Sequence, residues 1–492
     1  MFAQGMNQWS NAAFALLPFL ASVALKAEDV EPVNVGSRLE PFFDGSLIAE
    51  LKGAALRLHP PTPREVVFTF DAPWEGAMSG YVTVLHDGKR YRLYYRGGGD
   101  LGREYSCLAF SDDGVHWTRP KLGLIEYRGS KDNNIFWTGK EKAYFESHNF
   151  CPFLDTNPAA PPDQRWKAVT SAKVPDTGGD RPKILMAFVS PDGVHWKRLR
   201  DEPIITDGAF DSQNTACWDA VNRQYVCFLR KAQKGMRSVA RSLSKDFVNW
   251  SKPELLDFGD TPPEQFYTNA MQPYLRAPHL YIGLPMRFVP PAVRNWVGLE
   301  RRKTDGLSDA VFMSSRDGLH WNRAFLEAFI RPGLDPSMWG GAHGNSTPAL
   351  GVVQTGPEEL SIYWSEHYGN YPEGTIIPRL RRGTLRPEGF VSVNAGYAGG
   401  EFTTRPLVFT GRRLTMNFST SAVGGVRVEI QDATGRPLPG YALAEATEIW
   451  GDELARVVTW KTGHDLGRLA GQPVRLRFVM KDADVFALRF VD

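Results

Sequence analysis

Ser111-Asp112-Asp113-Gly114-Val115-His116-Trp117 returns as Ser190-Pro191-Asp192-Gly193-Val194-His195-Trp196 and again as Ser315-Arg316-Asp317-Gly318-Leu319-His320-Trp321. A degenerate copy stands at Ser244-Lys245-Asp246-Phe247-Val248-Asn249-Trp250. An apolar stretch leads into each copy, and two further stretches joined by a turn come before it. In the first unit these are residues 81–85 and 90–95, around His86-Asp87-Gly88-Lys89. Asp-Gly between alternating hydrophobic residues marks a hairpin. Three strands, an Asp-Gly turn and a short outer strand, repeated along the chain, follow the pattern of a β-propeller blade. The units fall at 79–120, 146–200, 209–253 and 265–323, and a fifth at 344–393 has Arg386-Pro387-Glu388-Gly389-Phe390 in the turn position. The repeated tryptophans read as packing between blades, and the motif aspartates as turn residues.

The rhythm changes after the glycine-rich stretch 396–400. Val426, Val428 and Ile430 alternate with charged residues, and so do Val474, Leu476, Phe478 and Met480. About seven short strands in this tail predict a β-sandwich. The fold class is therefore all-β, a five-bladed β-propeller followed by a C-terminal β-sandwich. The expected division is 28–395 for the propeller with an N-terminal extension and 400–492 for the sandwich.

Lys plus Arg number 57 and Asp plus Glu 55, so the net charge of +2 gives no reason to expect a nucleic-acid partner. Four cysteines in 492 residues do not make a disulfide scaffold. Cys217 and Cys227 fall on the two arms of one hairpin and are read as two thiols, because a direct cross-strand disulfide is strained. Residues 12–25 carry no charge and suit the apolar part of a secretory signal better than a membrane span, although residues 1–11 contain no Lys or Arg. A signal peptide over 1–27, a secreted or periplasmic location and no membrane attachment once processed are the expectations.

In a propeller the residues that open the innermost strands face one shared funnel, so carboxylates there are the candidates for glycosidic chemistry, which uses two. The candidates are Glu75, Asp211, Glu264 and Asp309, with Glu366 following the second strand of the fifth unit. Polar residues in the same positions predict a sugar-binding lining of His148, Asn149, Gln213, Asn214, Tyr267, Asn269 and Trp339. Trp74 and Tyr368 also flank these clusters. His148, His279, His343 and His367 show no zinc spacing, and the calcium-loop pattern is missing, so no metal and no cofactor are expected. Neither a nucleotide-binding glycine loop before a helix nor a G-x-S-x-G element is present.

These segments resemble the five-bladed propeller glycosidases of glycoside hydrolase families 32 and 43, and more closely the family 32-type proteins abundant in planctomycetes. The resemblance rests on Phe42-Phe43-Asp44-Gly45-Ser46-Leu47-Ile48, on Asp113 to Pro120 with Leu122-Gly123-Leu124, on Asp132-Asn133-Asn134-Ile135, on Asp211-Ser212-Gln213-Asn214 and on Ser315-Arg316-Asp317-Gly318. It covers about 40–395, and the tail resembles the sandwich such proteins carry. Family 32 enzymes use an Asp nucleophile, a stabilising Asp in Arg-Asp-Pro and a Glu acid/base in Glu-Cys. Asp211 resembles the stabilising Asp, but Phe210 stands for the Arg and Ser212 for the Pro; Glu264 lies near the Glu-Cys position without a following Cys. The Asn-Asp-Pro-Asn nucleophile motif is absent, and Glu75 lies near its place. These departures argue against fructosidase activity. The resemblance implies a glycoside hydrolase cleaving terminal sugars from a poly- or oligosaccharide, with Asp211 orienting or stabilising, Glu264 as general acid, Glu75 as base or nucleophile, and Asp309 and Glu366 as alternates. The rival reading is a non-catalytic sugar-binding propeller.

Overall fold

The computed structural model describes residues 31–98, 104–139, 146–173, 184–290, 306–339, 345–369 and 376–492. The apolar segment 12–25 and His343 lie outside them. The described chain is all-β, with helical structure confined to 3-10 turns such as Pro162–Gln164 and Gly467–Leu469. Among the described residues no helix is long and apolar enough to cross a membrane.

Four sheets of four antiparallel strands follow in chain order. The first holds Gly80–His86, Tyr91–Gly98, Glu104–Ser111 and Ile135–Trp137; the second His148–Leu154, Trp166–Ala172, Ile184–Ser190 and Lys197–Arg198. The third holds Thr215–Asp219, Gln224–Gln233, Met236–Ser244 and Glu254–Leu255; the fourth Met271–Tyr274, Ala277–Gly283, Met313–Ser315 and Trp321–Asn322. A smaller sheet of Gln265–Phe266, Met286–Val289 and Leu307–Ala310 is interleaved with the fourth in the chain. In the fifth, Thr347–Pro348 and Val353–Gly356 both pair with Glu359–Glu366, which pairs with Arg379–Leu385. Its outer strand is Thr62–Thr69, from the opposite end of the chain. Sequence reading looked for that strand after residue 385. There, instead, Arg386 to Gly389 closes a turn, and the buried Glu388 is fixed by Arg276 at 2.5 Å and Tyr274 at 3.1 Å.

The repeated motif is a turn held by its own side chains. Ser111 Oγ accepts from the Gly114 amide at 2.8 Å, and Asp113 Oδ1 accepts from the Val115 and His116 amides at 2.8 Å. The copies at 190–195 and 315–320 repeat these contacts. Against the upward push of burial, such bonds hold the carboxyls of Asp192, Asp246 and Asp317 at about 2. Gly114, Gly193 and Gly318 have φ of +76°, +75° and +74°, which glycine adopts without steric cost; in the degenerate copy Phe247 is held at +66°. Each turn docks on the preceding sheet. Gly193 O accepts from Tyr94 Oη at 2.9 Å, and Phe247 packs on Phe153 with centroids 5.6 Å apart. Of the four tryptophans only Trp321 lies within an outer strand; the others precede theirs.

Residues 33–58 do not extend the sheet series. Val33–Gly36 pairs with Leu407–Phe409, Ile48–Lys52 with Gly400–Thr404 and Ala54–Leu58 with Val391–Ala395. They join the C-terminal strands around one core, in which Phe402 stacks on Phe478 at 4.4 Å and Phe409 on Phe490 at 3.8 Å. The alternation in 48–58 is half polar and too short to say which sheet it joins; pairing with a distant strand decides that. The two long strands Arg413–Asp432 and Val474–Val491 each turn a corner at a bulge between Thr420 and Gly425 and the facing residues, so both halves of each face the core.

Candidate active site

Residues at the starts of the first strands of several sheets meet: Asn149 bonds to Arg96, Gln213 to Tyr81 O, and Tyr81 and Thr347 line one cleft. At the starts of four such strands a non-glycine residue has a left-handed backbone: Tyr81 (+51°) and Asn149 (+57°) in second position, and Ala270 (+43°) and Ser346 (+59°) immediately before the strand. Each such residue costs on the order of 1–3 kcal/mol, a strain that functional sites tend to collect. Tyr81, Tyr267 and Tyr368 line a small cleft there with Thr268, Met286, Thr347 and Ser365.

Beside the tyrosines lies a chain of charged groups. Strand Glu104–Ser111 begins with Glu104, whose two carboxylate oxygens each lie 2.9 Å from His148 Nδ1. His148 opens the second sheet, and its Nε2 lies 3.0 Å from Asp211 Oδ1. Asp211 Oδ2 is 3.5 Å from Arg230 Nη2. Arg96 reaches Glu104 at 3.5 Å, donates to Asn149 Oδ1 at 3.0 Å and to Tyr368 Oη at 2.5 Å, and covers the Tyr81 ring at 4.5 Å. The side chains of Glu104 and Asp211 are 35% and 34% exposed, whereas His148 between them is 10% exposed. The two carboxylates are thus open to a ligand and the imidazole is sheltered.

Burial opposes protonation of His148, but Glu104 and Asp211 outweigh it and its pKa rises. Burial also opposes charge on Glu104, yet His148 and Arg96 hold its carboxyl at about 2. The hydrogen bond from His148 overcomes burial at Asp211 and, with Arg230, keeps that carboxyl below the usual range. The cluster therefore carries its exchangeable proton on the imidazole, flanked by two carboxylates.

Of the carboxylates singled out from sequence, only Asp211 belongs to this cluster. Glu75 has a fully buried side chain bound by Arg119 at 3.0 and 2.9 Å and by Tyr95, and accepts from the Ala72 amide of its own turn, which leaves no face for a substrate. Glu366 is buried between Arg379 at 2.6 Å and Arg381 at 2.5 Å. Glu264 is ion-paired with Arg287 at 2.7 Å and Arg323 at 2.6 Å. Asp309 binds Arg287 through both oxygens, at 2.8 and 2.6 Å; burial pushes its carboxyl up in spite of that partner. Glu264 and Asp309 share one guanidinium, and neither bonds to Asp211.

The amides that recur in successive units mostly fasten neighbouring sheets. Gln213 Nε2, wholly buried, donates to Val82 O and Thr83 Oγ1 of the first sheet at 3.1 and 3.0 Å. Asn214 donates to Ser171 Oγ of the second sheet at 2.9 Å, and Asn269 to Phe228 O of the third at 3.2 Å. These were expected to hold hydroxyls of a ligand; in the structure their amide hydrogens go to neighbouring strands, while Gln213 Oε1 is buried without a partner. Asn149 belongs to the site through Arg96, and Tyr267 through the cleft. Trp339 is 37% exposed and bonded to Gly333 O, and the Trp74 indole donates to Asn134. Sequence reasoning missed Glu104, Arg96 and Arg230. They stand beside the hairpins joining second and third strands, which open at the same end as the innermost strands' starts. Among the described residues no three His, Cys, Asp or Glu side chains are grouped to hold a metal ion, and all four cysteines are thiols. Cys227 faces Ala216 rather than Cys217.

No protein-family model matches the chain, and no curated protein matches it. Solved structures resembling it include an N-acetylgalactosamine deacetylase from F. plautii in complex with blood group B trisaccharide, at 15% identity and a TM-score of 0.43 over 68% of this chain and 96% of that one. A fructofuranosidase from Schwanniomyces occidentalis complexed with fructosylnystose is 11% identical, with a TM-score of 0.41 over 88% and 96%. The family 32 beta-fructofuranosidase of Bombyx mori is 10% identical, with a TM-score of 0.44 over 87% and 94%.

Proposed function

We propose that the five sheets are the blades of one propeller, closed by Thr62–Thr69, and that the protein is a glycoside hydrolase working at the funnel mouth. The ring reading is supported by the contact of the last unit with the first, where the amides of Val84 and Leu350 bond to Leu350 O and Val82 O at 2.8 and 2.9 Å. The second domain in this reading is a sandwich of 33–58 together with 391–492.

The observation that carries the hydrolase reading is the pair of partly exposed carboxylates, Glu104 and Asp211, bracketing one imidazole. Two short hydrogen bonds across an imidazole leave the carboxylates roughly 7–8 Å apart, inside the ~6.5–9.5 Å of inverting glycosidases. Asp211, kept ionised by His148 and Arg230, activates water. Glu104, its own carboxyl held at about 2, keeps His148 charged, and the imidazole holds the proton that the leaving oxygen needs. Tyr81, Tyr267 and Tyr368 pack together as a buried aromatic base beneath the mouth. Glu264 and Asp309 have no part in the chemistry, since guanidinium groups occupy them. Export of the chain goes with this reading, supported by the uncharged run at 12–25.

The test is release of new reducing ends from a panel of plant and algal glycans by the purified protein. Turnover of at least one glycan is expected. Binding of a sugar without turnover of any would favour a non-catalytic sugar-binding propeller.

A further inference from the structure

We propose that the sugar received at the mouth carries an acidic group, a carboxylate or a sulfate ester, and that Arg230 and Arg237 receive it. The inference rests on the reading that this mouth binds sugar, and names the class of sugar.

Arg230 is 7% exposed. Its Nε donates to Ala209 O at 3.0 Å and its Nη2 lies 3.5 Å from Asp211, but Nη1 is buried without an acceptor. An unpaired buried guanidinium nitrogen is costly, and a ligand oxygen that satisfies it recovers that cost. The guanidinium lies 5.1 Å from the centroid of Tyr267, a ring that lines the cleft. Arg237, from the adjoining strand Met236–Ser244, lies 5.1 Å from the same ring and 4.9 Å from Phe288, and bonds to Gln265 Oε1 at 3.0 Å. Two cations therefore bear on one tyrosine of the cleft. Across the cleft, Arg96 covers Tyr81, and Asn149 Nδ2 beside it is a second buried donor without an acceptor.

Charge agrees with this. Glu104 and Asp211 are offset by His148, whose pKa their charges raise, and by Arg96, with Lys173 also acting on Glu104. Arg230 and Arg237 are then left in excess. A neutral sugar offers hydroxyls, each a donor as well as an acceptor. An acid group offers acceptors only, and arginine binds planar or tetrahedral oxyanions through charge-assisted bonds.

Matched methyl glycosides of the gluco and galacto series, as the neutral sugar, the uronide and the 6-sulfate, provide the test, with binding followed by NMR titration. At least one acidic member is expected to bind about 10-fold or more tighter than its neutral partner, as charge-assisted bonds imply. The comparison of uronide with sulfate identifies the acid. In R230Q, and in R237Q should the buried Arg230 prove necessary for folding, the preference is expected to shrink to within about 3-fold. Equal binding of neutral and acidic partners would overturn the inference while leaving a sugar site in place. Undiminished acidic preference in both variants would overturn the assignment to these arginines. Binding of no member of the set would overturn the sugar site and this inference together.

Discussion

Tyr363, in the second strand of the last sheet, donates its hydroxyl hydrogen to the carbonyl oxygen of Gly114, in the turn of the first, at 2.7 Å. Tyr94 makes the same bond to Gly193 at 2.9 Å, one sheet further on. The joint that ties one sheet to the next inside the series is also the joint between its ends. Tyr363→Phe and Tyr94→Phe should therefore each cost about 1 kcal/mol for the hydrogen bond to the turn carbonyl, with Tyr94→Phe slightly the costlier because its hydroxyl also accepts from Arg92 Nη1 at 3.5 Å, read from urea unfolding. A Tyr363→Phe variant as stable as the parent, beside a destabilised Tyr94→Phe, would mean that the ends are not joined as the inner sheets are.

The turn glycines separate backbone strain from packing. Gly88 and Gly193 have φ of +92° and +75°, so alanine at either pays for a left-handed backbone, about 1 kcal/mol. A Cβ at Gly88 meets nothing within 4 Å, whereas at Gly193 it meets Tyr94 Oη at 2.6 Å, Arg92 Nη1 at 2.8 Å and Trp166 at 2.9 Å. Gly193→Ala should thus lose a further ~1–3 kcal/mol through overpacking, and its melting temperature should fall below that of Gly88→Ala. Equal losses would show that the turn is not pressed against the preceding sheet.

The sequence is most readable where it repeats. Ser-x-Asp-Gly at 111, 190 and 315 locates three turns because a left-handed glycine and a carboxylate capping two amides are local requirements. Thr62–Thr69 and residues 33–58 were not assignable, because their partners lie at Arg379–Leu385 and beyond residue 390, and short half-polar strands do not encode a distant register. Repetition also has a packing cause. Asn214 and Asn269 recur because each seam between sheets needs the same fastening. Of the groups that set the mouth apart, Glu104 has no motif around it, whereas Arg96 and Arg230 stand at equivalent places, each five residues after the tyrosine paired with the motif serine, a correspondence visible only once the strands are aligned.

The stability of the cluster depends on pH in a defined direction. His148 has its pKa raised from 6.5, so its contribution is complete below about pH 6.5 and is lost as pH rises through the folded value. Glu104 has its pKa lowered from 4.5 to about 2, so its contribution is present above about pH 4.5 and is lost as pH falls. His148→Gln should therefore cost most between about pH 4.5 and 6.5, and the gap from the parent should narrow toward pH 9. Unfolding free energies across this range provide the check, and a gap that widens with pH would contradict the charged imidazole.

The spacing of the carboxylates fixes a stereochemical outcome. In the proposed reaction Glu104 and Asp211, roughly 7–8 Å apart with the His148 ring between them, act from the open side of that ring, where sugar and water lie together, so the first product should carry the inverted anomer. Proton NMR of the reaction before mutarotation reads this directly. A retained anomer would require a closer pair, ~5–5.5 Å apart, and would exclude these two residues as that pair.

The most direct test of the account is turnover by Asp211→Asn and Glu104→Gln on the glycan that the parent cleaves. Each change removes one charge and nearly preserves shape, and both side chains are a third exposed, so circular dichroism and melting should show a folded protein. Loss of an acid or base should lower turnover about 10²-fold or more in each variant. Full turnover in both, with the fold intact, would contradict the claim that the carboxylates on either side of His148 carry the reaction.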